Sequence, residues 1–555
     1  MWKVGLCFMG GSLLLLGFGV WMLGLGVVVF IEYVFGGAVG GLSFVWVFDW
    51  VSVFFYFVVL FISGLIMIYS VDYMGGDSSL DRFVLLMVGF VLSMGLVVFS
   101  SNVVVLLFGW DGLGLTSYCL VIYYQNNSSF NAGMITILSN RVGDVGLLGG
   151  LALMFGLGGL NYVELSSGGE CLVLLGFLFF LAGITSSAQV PFSAWLPAAM
   201  AAPTPVSSLV HSSTLVAAGV FLMVRLSGML GWVADLLFLL GLVTMFMAGV
   251  GANYEMDLSS VVALSTLSQL GVMMMIVSLG EWQLAYFHMV VHALFSAMMF
   301  MSVGFVIHGF GGWQDVRVMG GLGGYFPFVG VGMMVSGMAL MGFPFMAGFY
   351  SKDLILESVM VGVWGWIIVL VVVLSFLMTV GYSMSIFRFV LWGQEGVGVI
   401  YFCWGESPWM AWSIFGLVFM SVFGGAVGGW LFLPVGSLLV LGFEKWVGIF
   451  IVVFGILFSV VFDGGSGGSL VGVVEYFFGG MWFIWYLSAN PLVSLMYVCD
   501  LMSVGDDLWG EIVGGSGGSF LILGGVSAVL MIQEVELSGV LVLGLLGGIV
   551  VVLMW

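Results

Sequence analysis

The chain has 555 residues, 62% of them hydrophobic and only 6% charged, with a formal net charge of −19. A mean hydropathy of +1.28 excludes a soluble enzyme with one ordinary core. Runs of about 20 apolar residues recur from end to end, each enough to cross a hydrocarbon layer of roughly 30 Å as a helix, so the chain reads as a polytopic membrane protein; barrel strands, about half that length and alternating in polarity, are not seen.

Apolar segments fall near 5–31, 48–70, 82–100, 103–124, 133–156, 171–199, 206–227, 231–251, 258–279, 283–308, 328–357, 361–391, 409–440, 446–462 and 538–555. This gives an all-α fold of about 15 transmembrane helices. The first begins almost at Met1, with no cleavable-looking signal and no Arg-rich presequence ahead of it. The acids are scattered through short loops and a few span interiors, so the net charge points to no partner. Eight Lys and Arg are too few to orient the chain. Five isolated cysteines, with no C-x-x-C pair, indicate neither an iron–sulfur cluster nor a zinc site, and no metal is expected.

Asp111 lies well inside its span, in Gly-Trp-Asp-Gly-Leu-Gly, where a lone carboxylate is costly unless a cation or water stabilises it. Arg141 and Asp144, three apart, share a helix face and can pair. Four of the nine prolines stand at 191, 197, 203 and 205, just ahead of His211, which predicts a helix broken in mid-membrane. His288, His292 and Ser296 recur every fourth residue and so form one stripe, on which two imidazoles one turn apart can pass a proton through a water. A second Gly/Pro break, Gly342-Phe-Pro-Phe-Met-Ala-Gly348, precedes Lys352 and Asp353. Two discontinuous helices in corresponding positions point to internally repeated halves. Between 463 and 537 Gly-Ser stretches alternate with apolar pieces. There 516–537 reads either as a helix lying along the membrane surface or as a further span. No nucleotide, haem or hydrolase motif appears in a credible context.

Taken together these motifs resemble one family. They are Gly-Trp-Asp111-Gly-Leu-Gly-Leu-Thr-Ser-Tyr, Ser-Asn-Arg141-Val-Gly-Asp144, Ser187-Ala-Gln-Val-Pro-Phe-Ser-Ala-Trp-Leu-Pro, Ala263-Leu-Ser-Thr-Leu-Ser-Gln and Gly348-Phe-Tyr-Ser-Lys352-Asp353. The chain is similar over roughly 49–390 to the antiporter-like subunits of respiratory complex I, which are related to the large subunits of multi-subunit Na+/H+ antiporters. The resemblance implies N-terminal helices in 1–102, a proton-translocating core of two inverted repeats in 103–390, and C-terminal helices in 391–555 with a lateral helix at 516–537 and a last span at 538–555. It implies a place in the mitochondrial inner membrane beside a neighbouring antiporter-like subunit, with no nucleic acid. NADH, FMN, iron–sulfur clusters and ubiquinone are expected on other subunits and no cofactor on this chain. The rival readings are a stand-alone antiporter subunit and a structural brace with a dead channel.

In that family the carboxylate at Asp111 pairs with a lysine on the first broken helix, and further lysines continue the path. Lys352 fills the last of these positions and His211, His288 and His292 the histidine positions. Ser186 and Ser296 stand where the other two lysines are expected. Ser78, Ser128, Ser259 and Ser260 show the same difference at loop positions. Six coincident Lys-to-Ser differences suggest decoding, since AGG is read as serine in invertebrate mitochondrial tables and as lysine in some arthropod lineages. Six lysines would add six positive charges and move the net charge from −19 to −13.

Overall fold

The computed structural model describes residues 1–35, 42–157, 159–162, 170–362, 365–393, 406–433, 442–462, 476–506, 518–524, 544 and 546–548. They fall into two compact units, Met1–Trp485 and Tyr486–Trp555. Of the expected surface helix at 516–537 only 518–524 are described, and they are helical; of the expected last span at 538–555 only 544 and 546–548 are described.

In the first unit α1 (Trp2–Leu25) stops at Gly26, whose φ of 61° is left-handed. A two-stranded antiparallel hairpin follows, β1 (Val29–Phe35) and β2 (Leu42–Phe48), with Val29 opposite Phe48. Asp49 turns the hairpin into α2 (Trp50–Tyr73) by a capping box: the Ser52 amide donates to Asp49 Oδ1 at 2.9 Å, and the Asp49 amide donates to Ser52 Oγ at 3.1 Å. Next come α3 (Leu80–Phe99), α4 (Val103–Val121), α5 (Asn127–Leu157) and α6 (Glu170–Ser186). The short α7 (Trp195–Ala198) lies in the proline run, and α8 (Thr204–Val210) and α9 (Leu215–Arg225) follow it. Beyond are α10 (Ala234–Tyr254), α11 (Leu258–Ser278), α12 (Trp282–Gly309), the short α13 (Leu322–Tyr325), α14 (Pro327–Met341), α15 (Ala347–Val361), α16 (Trp366–Ile386), α17 (Pro408–Phe432) and α18 (Val447–Phe462). A last helix, α19 (Ile484–Val504), runs into the second unit.

Eleven helices among the described residues, with α8 and α9 taken as one, are long and apolar enough to cross a membrane, and four apolar helices are shorter. Of the fifteen expected spans, 171–199, 328–357 and 446–462 hold shorter helices among the described residues, and 538–555 lies mostly outside them. The run at 171–199 stops being helical after Ser186, and 328–357 divides into α14 and α15. Burial sorts the bundle. The α12 window and the α8–α9 window are 100% buried and that of α11 94%, whereas α1 is 17% and α17 28%, so the site helices occupy the centre and the latter face outward.

Around the prolines of the first expected interruption, α6 ends at Ser186 and only short helical turns precede α8. The prolines at 191 and 197 sit in turns and single-turn helices between α6 and α8, and Pro205 lies in the first turn of α8, where a missing N–H costs little. A further interruption lies at His211–Thr214, between α8 and α9. There Ser212 Oγ donates to the Ser208 carbonyl, and Ser213 Oγ (3.3 Å) and Thr214 Oγ1 (2.8 Å) both donate to the Leu209 carbonyl. Consecutive hydroxyls compete with backbone N–H groups for those carbonyls and end the turn.

Candidate functional site

On α4 and α5 the charges form a triad. Arg141 Nη1 lies 2.9 Å from Asp111 Oδ1 and 2.9 Å from Asp144 Oδ2. The Arg141–Asp144 pairing follows from their spacing. The contact with Asp111 does not, because it joins residues 30 apart on neighbouring helices. Family resemblance assigns the counter-charge of Asp111 to position 186, and here the structure differs. Ser186, the last residue of α6, turns its Oγ back to the carbonyls of Ala182 (3.0 Å) and Gly183 (3.3 Å), and Arg141 neutralises Asp111 instead. Ser186 does share a small cavity of about 20 Å³ with Asp144, Asn140 and Trp110, room for a single water. Asn140 Oδ1 is buried and has no protein partner, so this cavity carries an acceptor that a water would satisfy.

The imidazoles of His211, His288 and His292 are buried. His211, 1% exposed, stands at the interruption between α8 and α9, and neither of its ring nitrogens meets a hydrogen-bond partner. His288 and His292 keep the predicted stripe on α12, their ring centroids 6.2 Å apart. His288 Nδ1 is 2.9 Å from Ser351 Oγ, and the Nε2 atoms of both residues have no partner. Ser296 Oγ donates to the His292 carbonyl at 2.7 Å, so this hydroxyl too is spent on its own helix.

The second interruption builds the lysine site. Gly342, with φ 83°, ends α14, and α15 starts at Ala347, which leaves the Leu340 carbonyl outside the helical ladder. Lys352 Nζ donates to that carbonyl at 2.5 Å and to Thr379 Oγ1 of α16 at 3.4 Å, and it lies 5.2 Å from the Phe376 ring centroid. The amine is thus held by a broken-helix carbonyl, a hydroxyl and an aromatic face, with no carboxylate within salt-bridge distance among the described residues. Asp353 points the other way, toward Gly448 of α18, with Lys445 acting on it from beyond. A cavity of about 20 Å³ is lined by both Lys352 and Asp353, so one water can join them.

Ser351 Oγ thus ties the histidine stripe to α15, on which Lys352 is the next residue, and the Asp111–Arg141–Asp144 triad is a separate cluster on α4 and α5. Ser351, Thr379 and the Leu340 carbonyl are partners that sequence reasoning missed. Adjacency to Lys352 could have drawn attention to Ser351, whereas Thr379 is one hydroxyl among many in apolar spans. Chemically, neutral imidazoles, hydroxyls and single-water cavities can accept a proton on one atom and release one from another.

The fold is that of an antiporter-type membrane subunit. The solved structure of the Mrp complex from Dietzia sp. DQ12-45-1b superposes with a TM-score of 0.75 at 23% identity, over 95% of this chain and 60% of that one. Residues 100–378 match the family described as NADH:quinone oxidoreductase/Mrp antiporter, TM. Residues 38–84 match the N-terminus of chain 5 of NADH-ubiquinone oxidoreductase (complex I), and 382–555 match the C-terminus of NADH dehydrogenase subunit 5. NADH-ubiquinone oxidoreductase chain 5 of Locusta migratoria is 42% identical over 486 residues, and that of Anopheles quadrimaculatus 44% identical over 485 residues, each alignment covering 84% of both chains. The Artemia franciscana protein of the same name is 52% identical over 297 residues, 53% of this chain and 54% of its own. The chain belongs to the NADH-ubiquinone oxidoreductase chain 5 family. The family matches extend beyond 49–390, where the sequence motifs lie, from residue 38 to residue 555.

Proposed function

We propose that the chain is a proton-translocating core subunit of complex I in the mitochondrial inner membrane. Quinone reduction elsewhere in the enzyme shifts a line of buried charges, and protons move here in response. The observation that carries this reading is Lys352, 5% exposed, held on a broken-helix carbonyl, on a helix whose preceding residue, Ser351, bonds His288. A buried amine without a carboxylate partner trades its proton readily when a neighbouring charge changes. Each charge moved against the membrane potential costs about 2.3 kcal/mol per 100 mV, so a titrating lysine suits this work and a serine does not. NADH, FMN, the iron–sulfur clusters and ubiquinone belong to other subunits in this reading. The inverted-repeat relation between the two interruptions belongs to it as well.

The same reading gives the chain a neighbour in the membrane. The side chains of Arg141 and Asp111 are 44% and 47% exposed on helices that face outward, and lipid does not solvate such groups. An adjoining antiporter-like subunit with polar side chains at that depth would cover them. The test is purification. The chain is expected to co-purify with NADH:ubiquinone reductase activity coupled to proton uptake, and Na+/H+ exchange by the chain without NADH oxidation would support the antiporter reading instead.

Ser186 and Ser296 favour a second reading, a structural brace with an inactive channel, because both hydroxyls are spent on their own helices and neither carries charge. We propose that they are lysine in the organism. Ser78 and Ser128 are exposed and Ser259 and Ser260 half-buried, places where lysine costs nothing. A side chain longer than serine at 186 has Gly219 against it on one side and the Asn140–Asp144 cavity on the other. Peptide masses spanning residues 186 and 296 are expected to carry lysine, and serine masses there would refute it.

A further inference from the structure

A path through His211 needs a way in, and one lies at the end of α8. A crevice of about 370 Å³ opens between Tyr73, Tyr124, Pro203, Thr204, Ser260 and Gln314, with the Asp257 carboxylate on its rim. Thr204, the first residue of α8, forms its inner wall. Behind Thr204 is Tyr69 of α2, which is fully buried. The hydroxyls of Thr204 and Tyr69 are both buried and neither makes a hydrogen bond of regular geometry. They meet over Gly304 of α12: a Cβ there would come within 2.5 Å of Thr204 Oγ1 and 3.0 Å of Tyr69 Oη. The missing side chain at 304 lets both hydroxyls pack closely against α12 and against each other, near enough to pass a proton between them.

From Thr204 a polar stripe leads inward. Thr204, Ser207, Ser208 and His211 stand at i, i+3, i+4 and i+7 on one face of α8. Ser207 Oγ donates to the Thr204 carbonyl at 2.9 Å and Ser208 Oγ to the Pro205 carbonyl at 2.8 Å, which leaves the lone pairs of both oxygens for an incoming donor. Seven residues at 1.5 Å each bring the stripe about 10 Å from the crevice to His211. The imidazole at its end has two ring nitrogens without partners.

We infer that this crevice is the entrance through which water and protons reach His211, with the Thr204 and Tyr69 hydroxyls as its inner threshold. The inference rests on the proton-translocation reading. A proton delivered to a threshold hydroxyl binds its oxygen lone pair while the hydroxyl's own proton passes to the next water, so each group is restored after every transfer. His211 takes the proton at one nitrogen and releases one from the other. Asp257 at the rim raises the local concentration of cations, protons included.

The test compares intact complexes reconstituted in liposomes, reading protons moved per electron so that only assembled enzyme is counted. Thr204→Val, which keeps the shape and removes the hydroxyl, is expected to lower the ratio as far as Lys352→Ala does, and Thr204→Ser to restore it. Independently, Ala201→Cys on the crevice wall is expected to react with a membrane-impermeant maleimide, read peptide by peptide because Cys7, Cys119 and Cys499 are also exposed. A wild-type ratio for Thr204→Val beside a lowered one for Lys352→Ala overturns the entrance alone, as does an unlabelled residue 201. A wild-type ratio for Lys352→Ala overturns the translocation reading and the entrance with it.

Discussion

Replacing Asp49 by alanine is expected to leave little assembled protein. Asp49 does two things at the hairpin-to-α2 junction. It caps α2 through Ser52, and it forms a bidentate pair with Arg225 at the end of α9, with contacts of 2.5 and 2.7 Å. Both side chains are nearly enclosed, 12% and 13% exposed, beneath Tyr286, whose hydroxyl donates to the Val51 carbonyl at 2.8 Å. Removing one partner of such a pair strands the other charge at a cost of about 3–5 kcal/mol, and the lost cap adds about 1 kcal/mol. Together these are a large fraction of a typical domain stability of roughly 5–15 kcal/mol. The amount of complex on a native gel and its thermal midpoint check this. The double variant Asp49→Leu with Arg225→Met, which removes both charges, is expected to recover part of the loss. Equal losses in the single and double variants would show that the pair itself contributes little.

Lys352→Ala is expected to abolish the pumping contributed by this chain, while NADH oxidation measured with an uncoupler continues. Alanine removes the only lysine amine among the described residues that is buried within the bundle. It also strips the Leu340 carbonyl of its donor, which costs stability as well as function, on the order of 1–3 kcal/mol for a buried acceptor. Lys352→Arg separates the two effects. Arginine can still bond the carbonyl but does not give up its proton, so it is expected to restore assembly and not pumping.

Much of this site is legible in the residues themselves. The i, i+4 recurrence of His288 and His292 places both rings on one face, and the structure keeps them there. Gly342 and Pro344 ahead of Lys352 mark a helix end that frees a carbonyl, and the lysine sits on it. Other features depend on more than spacing. Asp111 meets Arg141 only because α4 and α5 pack side by side, a distance in sequence that periodicity does not reach. The prolines signal the loss of helix after Ser186, whereas the further break beyond them, where Ser212, Ser213 and Thr214 turn their hydroxyls back into the preceding turn, carries no such mark. Thr379 has no signature at all, since a single threonine in an apolar span more often bonds its own helix, and this one also donates to the Phe376 carbonyl at 2.8 Å.

The central claim is that proton transfer through this chain depends on the charge at Lys352. The direct measurement is the number of protons taken up per NADH oxidised by the intact complex in sealed proteoliposomes, with wild type and Lys352→Ala compared at matched uncoupled turnover. A lower ratio in the variant is the predicted result, and an unchanged ratio would contradict the account.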